Sequence, residues 1–223
     1  MTALDAVLFD LDSTLCVSEQ DEEAVLTDAF DRASVEQYCT VADIIEAVDD
    51  IPTAETSHEF YELCFAAAAR EVGVEDHHAS ALATAYEECV DHSAVSFRPG
   101  AEDALAAASE TNVGLVTNGD EATQTVKLDA LGIADAFDTL VFVDPRNGVP
   151  PKPDAAPFEK ALTDLGVAPD DALHVGDSLR ADVAGANALG IDSVWVPHEN
   201  RRIESAHEPT HTLTSLAEFP ELL

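Results

Sequence analysis

The sequence predicts an α/β protein: a doubly wound parallel sheet of about five strands, interrupted by an inserted all-helical segment. From residue 97 onward, short apolar runs alternate with amphipathic segments of helical period. Residues 17–95 instead contain helical patterns and scarcely any strand-like run. The chain has 223 residues, of which 46% are hydrophobic, so it can bury a large core.

The first strand is predicted at residues 6–9, where a continuous apolar run is typical of a strand buried on both faces. The helices of the insert combine apolar periodicity with polar or glycine ends, and they are predicted at 22–32, 41–48, 57–72 and 79–90. We therefore expect an α/β core of residues 1–15 and 96–223 and a helical insert of residues 16–95.

The second section begins at the turn signal Pro99-Gly100, after which strands and helices alternate. Its strands are predicted at 113–117, 140–143, 172–175 and 193–196. Its helices are predicted at 101–110, 121–131, 156–165 and 181–189. A polar tail with a short helix at 216–222 follows. Strands joined by helices in this way predict a Rossmann-like core.

The charge of the chain is extreme, because 10 basic residues face 45 acidic ones and the net charge is −35. The acidic residues are spread along the chain, which indicates a solvated surface around an ordinary core. Such a surface repels itself in dilute salt and is screened in concentrated salt, so we expect adaptation to a salt-rich cytoplasm. Without a basic patch, we expect no binding to nucleic-acid backbone or to anionic membranes. The sequence does not indicate the oligomeric state.

The cysteines lie far apart and form no C-x-x-C pair, which favours buried, reduced thiols over a disulfide or metal framework. No basic segment followed by an apolar one is found at the N-terminus, and no apolar run has the length of a membrane helix. These features predict a soluble, cytoplasmic protein.

Polar side chains follow the first two core strands. Asp10 and Asp12 come after the first strand, and residues two apart on a strand project to the same side. Two carboxylates so placed repel each other unless a cation lies between them or one stays protonated. Thr117 and Asn118 follow the next core strand, where a hydroxyl, an amide and the flexible Gly119 can hold phosphate oxygens.

The later strands end in the same manner. Lys152, one of only three lysines in the chain, lies between two prolines after the third core strand. A fixed ammonium opposite clustered carboxylates is a usual way to steady a phosphoryl group. Asp177 follows the fourth core strand, and Asp182 falls near the start of the next helix. Oxygen ligands of this kind suit Mg²⁺, and all of these residues lie at the sheet edge where α/β proteins bind ligands.

In this order the motifs resemble those of the haloacid dehalogenase-like (HAD) hydrolase superfamily, in its helical-cap phosphatase type. The first motif is Asp10-Leu-Asp12-Ser-Thr14 and the second is Thr117-Asn118. The third is Lys152, and the fourth is Gly176-Asp177 with Asp182. Together they cover the core from residue 4 to about 196, and the helical insert occupies the place of the family's cap.

The resemblance implies a role for each motif residue. Asp10 would be the nucleophile that forms an aspartyl-phosphate, and Asp12 the general acid and then the base. Thr117 and Asn118 would bind the phosphoryl oxygens, and Lys152 would neutralise charge on the phosphate and on the nucleophile.

The implied metal is Mg²⁺. It would be held by the Asp10 carboxylate, the Asp12 backbone carbonyl and Asp177, with Asp182 in a supporting position. The implied activity is hydrolysis of a small phosphorylated metabolite. Dehalogenases of the superfamily lack the second aspartate of the first motif, so Asp12 favours phosphoryl transfer.

Other functions stay open at this stage. A phosphomutase of the same superfamily would carry the same motifs. Gly176-Asp177-Ser178-Leu179 matches the GDSL signature of serine esterases, with Ser178 as nucleophile, but a D-x-x-H sequence is expected after the serine and here it precedes it. His207 to His211 fits the zinc-protease pattern H-E-x-x-H, which requires a helix that Pro209 disfavours. Arg98 and Arg180 are expected to be solvated salt-bridge partners.

Overall fold

A computed structural model describes residues 4–48, 51–198 and 207–223. The core is a six-stranded, all-parallel sheet in the order β5-β4-β1-β6-β7-β8. Its strands are β1 (Ala6–Phe9), β4 (Asn112–Val116), β5 (Thr139–Val141), β6 (Ala172–Gly176), β7 (Asp192–Trp195) and β8 (His211–Thr212). Two short strands, β2 (Cys16–Ser18) and β3 (Val95–Phe97), form a separate pair. When only the six strands of the large sheet are numbered in chain order, the strand order is 3-2-1-4-5-6, which is that of doubly wound folds.

The strand β1 lies at the centre of the sheet, with β4 on one side and β6 on the other. All four of its side chains are fully buried. Because side chains alternate along a strand, Val7 and Phe9 pack into the apolar cluster on one face, and Ala6 and Leu8 into the cluster on the other. An uninterrupted apolar run is what this two-sided burial requires.

The helices of the core lie on both faces of this sheet. One face is covered by α5 (Ala101–Ala108), α6 (Glu121–Leu131) and a 3₁₀ helix, Leu216–Glu221, and the other by α7 (Ala155–Leu165) and α8 (Ala184–Leu189). Acidic N-caps start two of them, since the side chain of Asp120 accepts the Thr123 N–H and that of Asp154 the Ala156 N–H. One turn of π-helix, Leu179–Val183, precedes α8.

The contacts between Cα atoms divide the chain into two compact units, Met1–Val17 with Val95–Leu223, and Ser18–Ala94. The second unit contains α1 (Glu22–Ala33), α2 (Val41–Ala47), α3 (Ser57–Val72) and α4 (Ala79–Cys89). Its core is aromatic, with edge-to-face contacts between Phe30 and Phe65 and between Phe65 and Tyr86. Capping by Thr40 and Thr56 starts α2 and α3.

The predicted fold class is confirmed, with differences in detail. The sheet has a sixth strand, β8, in the segment predicted as a polar tail, and the short pair β2–β3 was not predicted. The helix predicted at 181–189 is a π-helical turn followed by α8. Residues 49 and 50, which follow the predicted helix 41–48, and the tail residues 199–206 lie outside the described residues.

The cysteines are free thiols, with Cys16, Cys39 and Cys64 buried and Cys89 partly exposed. Within the described ranges, none of the helices combines the length and the apolar character that crossing a bilayer requires.

Candidate active site

Asp10 is the first residue after β1, and it is positioned by the sheet itself. Its backbone N–H donates to the Val175 carbonyl on β6, 2.9 Å away, so the residue stays in register with the central strands. One carboxylate oxygen accepts the Nζ of Lys152 at 2.7 Å, and the other accepts the hydroxyl of Thr14 at 3.0 Å. Both oxygens of this buried side chain are thereby held in place.

Lys152 is the centre of the site. Its side chain is 2% exposed, and its Nζ donates to Asp10 Oδ1, to Asp182 Oδ1 and to the Val116 carbonyl, each at 2.7 Å. An ammonium has three donors, and all three are used here. Lys152 therefore joins the ends of β1 and β4 to the π-helical turn after β6.

The charges in this group are unequal. Burial raises the pKa of the Asp10 carboxyl, and the nearby Asp182 charge adds to this effect against the opposition of Lys152. Burial also acts to raise the pKa of Asp182, but Lys152 and His174 outweigh it and hold that pKa well below its usual range. Burial acts to lower the pKa of Lys152, yet its two carboxylate partners outweigh it and raise that pKa. Of Asp10 and Asp182, Asp10 is thus the carboxylate whose negative charge is stabilised less.

Asp182 is held by three donors. Its Oδ1 contacts His174 Nε2 at 3.0 Å as well as Lys152, and its Oδ2 accepts the Ser178 backbone N–H at 2.9 Å. Gly176 leaves the space for this carboxylate, because a Cβ on Gly176 would lie 2.2 Å from Asp182 Cγ. These contacts occupy both oxygens of Asp182 within the protein.

The donor set fits a divalent cation. Asp10, Asp177 and Asp182 are all buried, and each offers a carboxylate oxygen within 4.8 Å of the other two. Lys152 is the ammonium that contacts two of them, Asp10 and Asp182. Clustered hard oxygen ligands of this kind are suited to Mg²⁺. The backbone carbonyl of Asp177 is fixed by the indole N–H of Trp195 at 2.8 Å.

Thr117 and Asn118, predicted together as phosphate ligands, have different contacts. The Thr117 hydroxyl oxygen accepts the Gly119 N–H and the Gln124 side-chain amide, both at 3.2 Å, so its own proton is left to donate. The Asn118 side chain is engaged with the backbone of Lys152, since its Oδ1 accepts the Lys152 N–H at 2.7 Å and its Nδ2 donates to the Lys152 carbonyl at 3.1 Å. In this structure Asn118 orients Lys152.

Asp12 has two partners that the sequence reasoning missed. Its Oδ1 accepts the Lys127 Nζ at 2.6 Å, and its Oδ2 accepts the Gln124 Nε2 at 2.8 Å. Both donors lie on α6. Because the chain has only three lysines, Lys127 could have been singled out as a candidate site residue. Nothing in the sequence distinguishes Gln124 in this way. Thr14 and His174 were likewise not named as site residues.

Other residues singled out by the sequence have structural contacts. Arg98, expected as a solvated salt-bridge partner, is partly buried, and its guanidinium donates to the Ser13, Val196 and Pro197 carbonyls. The Ser178 hydroxyl oxygen accepts the Ala181 N–H and thereby caps the π-helical turn.

The H-E-x-x-H segment forms no helix. Residues 207–210 are irregular, and β8 begins at His211. A zinc-protease site requires both histidines on one helical face, so the segment does not have the geometry of such a site.

Sequence comparison links these features to known proteins. The chain is 30% identical to ribulose-1,5-bisphosphate 5-phosphatase of Halopiger xanaduensis over 98% of both chains. It is 32% identical to phosphoglycolate phosphatase of Rhodospirillum rubrum over 97% of this chain and 87% of that one. It is also 36% identical to pyrimidine 5'-nucleotidase YjjG of Escherichia coli over 56% of each chain. This chain spans only about half the length of several such curated relatives.

Solved structures show the same fold. The HAD-hydrolase YfnB of Bacillus subtilis, bound to magnesium, superposes with a TM-score of 0.74 at 22% identity over 99% of both chains. A predicted phosphoglycolate phosphatase of Haemophilus somnus superposes with a TM-score of 0.78 at 19% identity over 100% of this chain and 99% of that one. The family model for haloacid dehalogenase-like hydrolases matches residues 4–190. The chain therefore belongs to the haloacid dehalogenase-like hydrolase family.

Proposed function

We propose that this protein is a Mg²⁺-dependent phosphatase that hydrolyses a small phosphomonoester through an aspartyl-phosphate on Asp10. The observation that carries the proposal is the buried group in which the Lys152 ammonium lies 2.7 Å from both Asp10 and Asp182. A carboxylate fixed beside an ammonium, with a hydroxyl donor nearby, can accept a phosphoryl group and offset its charge.

The metal site in this proposal consists of the Asp10 and Asp177 carboxylates and the Asp12 backbone carbonyl. Asp182 has a supporting position in this proposal and is not a direct ligand, because both of its carboxylate oxygens already accept hydrogen bonds from the protein. When bound, Mg²⁺ would offset the negative charge of the carboxylates and of the phosphoryl oxygens. The large excess of acidic residues makes this compensation important, since a phosphate dianion has to approach a chain of net charge −35.

The residues have separate tasks in the first step. An Asp10 oxygen forms a bond to phosphorus as the bond to the leaving oxygen breaks, and the Asp12 carboxyl gives its proton to that oxygen. Thr117 donates its free hydroxyl proton to a phosphoryl oxygen, and Lys152 offsets the charge. Asn118 acts through Lys152, whose backbone it binds on both sides.

The second step reverses the proton transfer. A water oxygen forms a bond to phosphorus as the Asp10 oxygen–phosphorus bond breaks, and Asp12 takes the proton of that water. Inorganic phosphate and regenerated Asp10 result. The names of relatives support a small phosphorylated metabolite as substrate, since they act on ribulose bisphosphate, phosphoglycolate and phosphoserine.

The test is release of inorganic phosphate from a panel of phosphoglycolate, sugar phosphates and nucleoside monophosphates in molar KCl, with MgCl₂ or with EDTA. We expect turnover only with Mg²⁺, and a loss of about 10³-fold or more in Asp10→Asn, as for removal of a nucleophile. Asp5→Asn is the matched control, because Asp5 precedes the same strand and is exposed.

Several outcomes would contradict the proposal. Turnover that is unchanged in EDTA would exclude a requirement for Mg²⁺. Equal losses of activity in Asp10→Asn and Asp5→Asn would exclude Asp10 as the nucleophile. Conversion of a sugar phosphate to its isomer without release of phosphate would identify a mutase. Ester hydrolysis abolished by Ser178→Ala, with no phosphatase activity, would identify a serine esterase.

A further inference from the structure

Helix α6 holds Asp12 through both oxygens of its carboxylate. Lys127 Nζ lies 2.6 Å from Oδ1, and Gln124 Nε2 lies 2.8 Å from Oδ2. Residues three apart on a helix lie on the same face, so the two donors reach the carboxylate together. The Asp12 side chain is itself 48% exposed, while that of Lys127 is 14% exposed. An Asp this exposed would otherwise be free to change rotamer.

The use of lysine makes this contact notable. The chain has only three lysines, and two of them contact the aspartates of the first motif, Lys152 at Asp10 and Lys127 at Asp12. The third, Lys160, forms an exposed i,i+4 pair with Asp164 on α7. In a chain with so few lysines, the two aspartates of the first motif contact two different ammonium groups.

Gln124 extends the contact to the phosphate side of the site. Its Nε2 also donates to the Thr117 hydroxyl at 3.2 Å, and the whole side chain is 1% exposed. Gly119 makes room for it, since a Cβ on Gly119 would lie 1.7 Å from Gln124 Nε2. Among the residues that the structure describes, no partner is found for the buried Gln124 Oε1. An unsatisfied buried amide oxygen reduces the stability of the fold. The contacts of the Gln124 Nε2 with Asp12 and Thr117 give this residue a role that fits such a cost.

We propose that Lys127 and Gln124 are positioning residues that fix the Asp12 carboxyl toward the leaving oxygen of the substrate. The proposal rests on the function proposed above. Each Asp12 oxygen has two lone pairs, and α6 occupies one on each. The remaining pairs can carry the proton that passes to the leaving oxygen in the first step and that returns from water in the second.

The experiment compares two substrates that differ in their need for this proton. The phenol released from 4-nitrophenyl phosphate is a good leaving group without protonation, whereas the phenol released from phenyl phosphate is a poorer one. The value of kcat/KM reports the steps up to transfer of the phosphoryl group to Asp10. Loss of a well-placed general acid costs about 10²-fold or more.

We expect Lys127→Met to lower kcat/KM about 10²-fold on phenyl phosphate and less than about 5-fold on 4-nitrophenyl phosphate, a difference set by general-acid catalysis. Lys127→Arg, which keeps a charged donor, should recover most of the loss. Lys160→Met is the matched control for loss of one positive charge. Inhibition by inorganic phosphate should be unchanged in each variant, because in this proposal Lys127 acts on Asp12, which it contacts, and not on phosphate. If Lys127→Met does not fold, as judged by urea unfolding, Lys127→Gln gives the same readout.

Equal losses on the two substrates would mean a structural role for Lys127 and would overturn the inference. Weaker inhibition by phosphate, in parallel with the loss of activity, would make Lys127 a phosphate ligand and would also overturn it. If the unaltered protein with Mg²⁺ hydrolyses neither these two substrates nor any member of the metabolite panel above, the proposed function fails first and the positioning role fails with it. The unaltered protein thus separates the two failures.

Discussion

Replacing Lys152 by methionine removes the only ammonium that, within the described part of the chain, contacts both Asp10 and Asp182. Methionine keeps the length and apolar stem of lysine, so the change is mainly one of charge. Breaking a buried ion pair by removing one partner costs about 3–5 kcal/mol, because the other charge stays buried and uncompensated. Asp182 keeps its contacts with His174 and Ser178, so we expect the lower value.

Urea unfolding measures this loss. A loss of about 3 kcal/mol, with a slope of roughly 2–3 kcal/mol per molar urea, lowers the midpoint by about 1–1.5 M. The measurement is made in molar KCl without divalent cations, since concentrated salt screens surface charges but leaves buried ones little affected. Adding MgCl₂ should stabilise the variant more than the unaltered protein, because a bound cation offsets the same carboxylates.

The matched control is Lys160→Met, which removes an exposed lysine from an i,i+4 pair. Exposed pairs of this kind contribute about 0.3–0.5 kcal/mol, so its midpoint should hardly move. The reasoning is refuted if Lys152→Met and Lys160→Met shift the midpoint equally.

Two further predictions concern the thiols and the surface. Burial raises the pKa of three thiols to about 12, those of Cys16, Cys39 and Cys64. At pH 8 we therefore expect Ellman's reagent to label one thiol, Cys89, in a fast phase and all of them in guanidinium. Two or more thiols labelled at the fast rate would contradict this expectation. Because the pKa of each buried thiol is higher in the folded than in the unfolded protein, the free energy of unfolding is not reduced by these thiols below pH 9. It falls by about 1.4 kcal/mol per thiol and pH unit as the pH rises toward 12. For the surface, screening of the −35 charge by KCl between about 0.1 and 2 M should add about 2 kcal/mol and raise Tm by roughly 4–8 °C. Sucrose of equal osmolality is the control, and a Tm that rises equally in sucrose, or does not rise in KCl, would remove the argument for salt adaptation.

The core of the fold was predictable because its signals are local. The apolar run of β1, the glycines that end the helices and the polar residues after each strand are all visible in short windows of sequence. The strand β8 was missed because two residues, His211–Thr212, carry no periodicity. Its pairing depends on the neighbouring β7, which no local pattern indicates.

The proximity of the candidate residues was predictable from the sequence, and their individual contacts were less so. Asp10, Lys152 and Asp182 were expected near one another because parallel strands end at a common edge. The contacts of Asp12 with Gln124 and Lys127 were not expected. Periodicity shows which face of α6 a residue occupies, but it does not identify a partner that lies 112 or 115 residues away in the sequence. The same holds for Asn118, whose amide was expected to bind phosphate and in the structure binds the backbone of Lys152.

The central position of β1 has a consequence for how the protein is made. β1 is synthesised well before its partners, since Ala6 pairs with Asn112 on one side and with Ala172 on the other. At about 5–20 residues per second, the second partner is synthesised roughly 10–30 s after β1. Until then at least one edge of this apolar strand stays open, a form prone to pairing with other chains. The strand that leads to Asp10 is therefore a part of the nascent chain that benefits from protection by a chaperone.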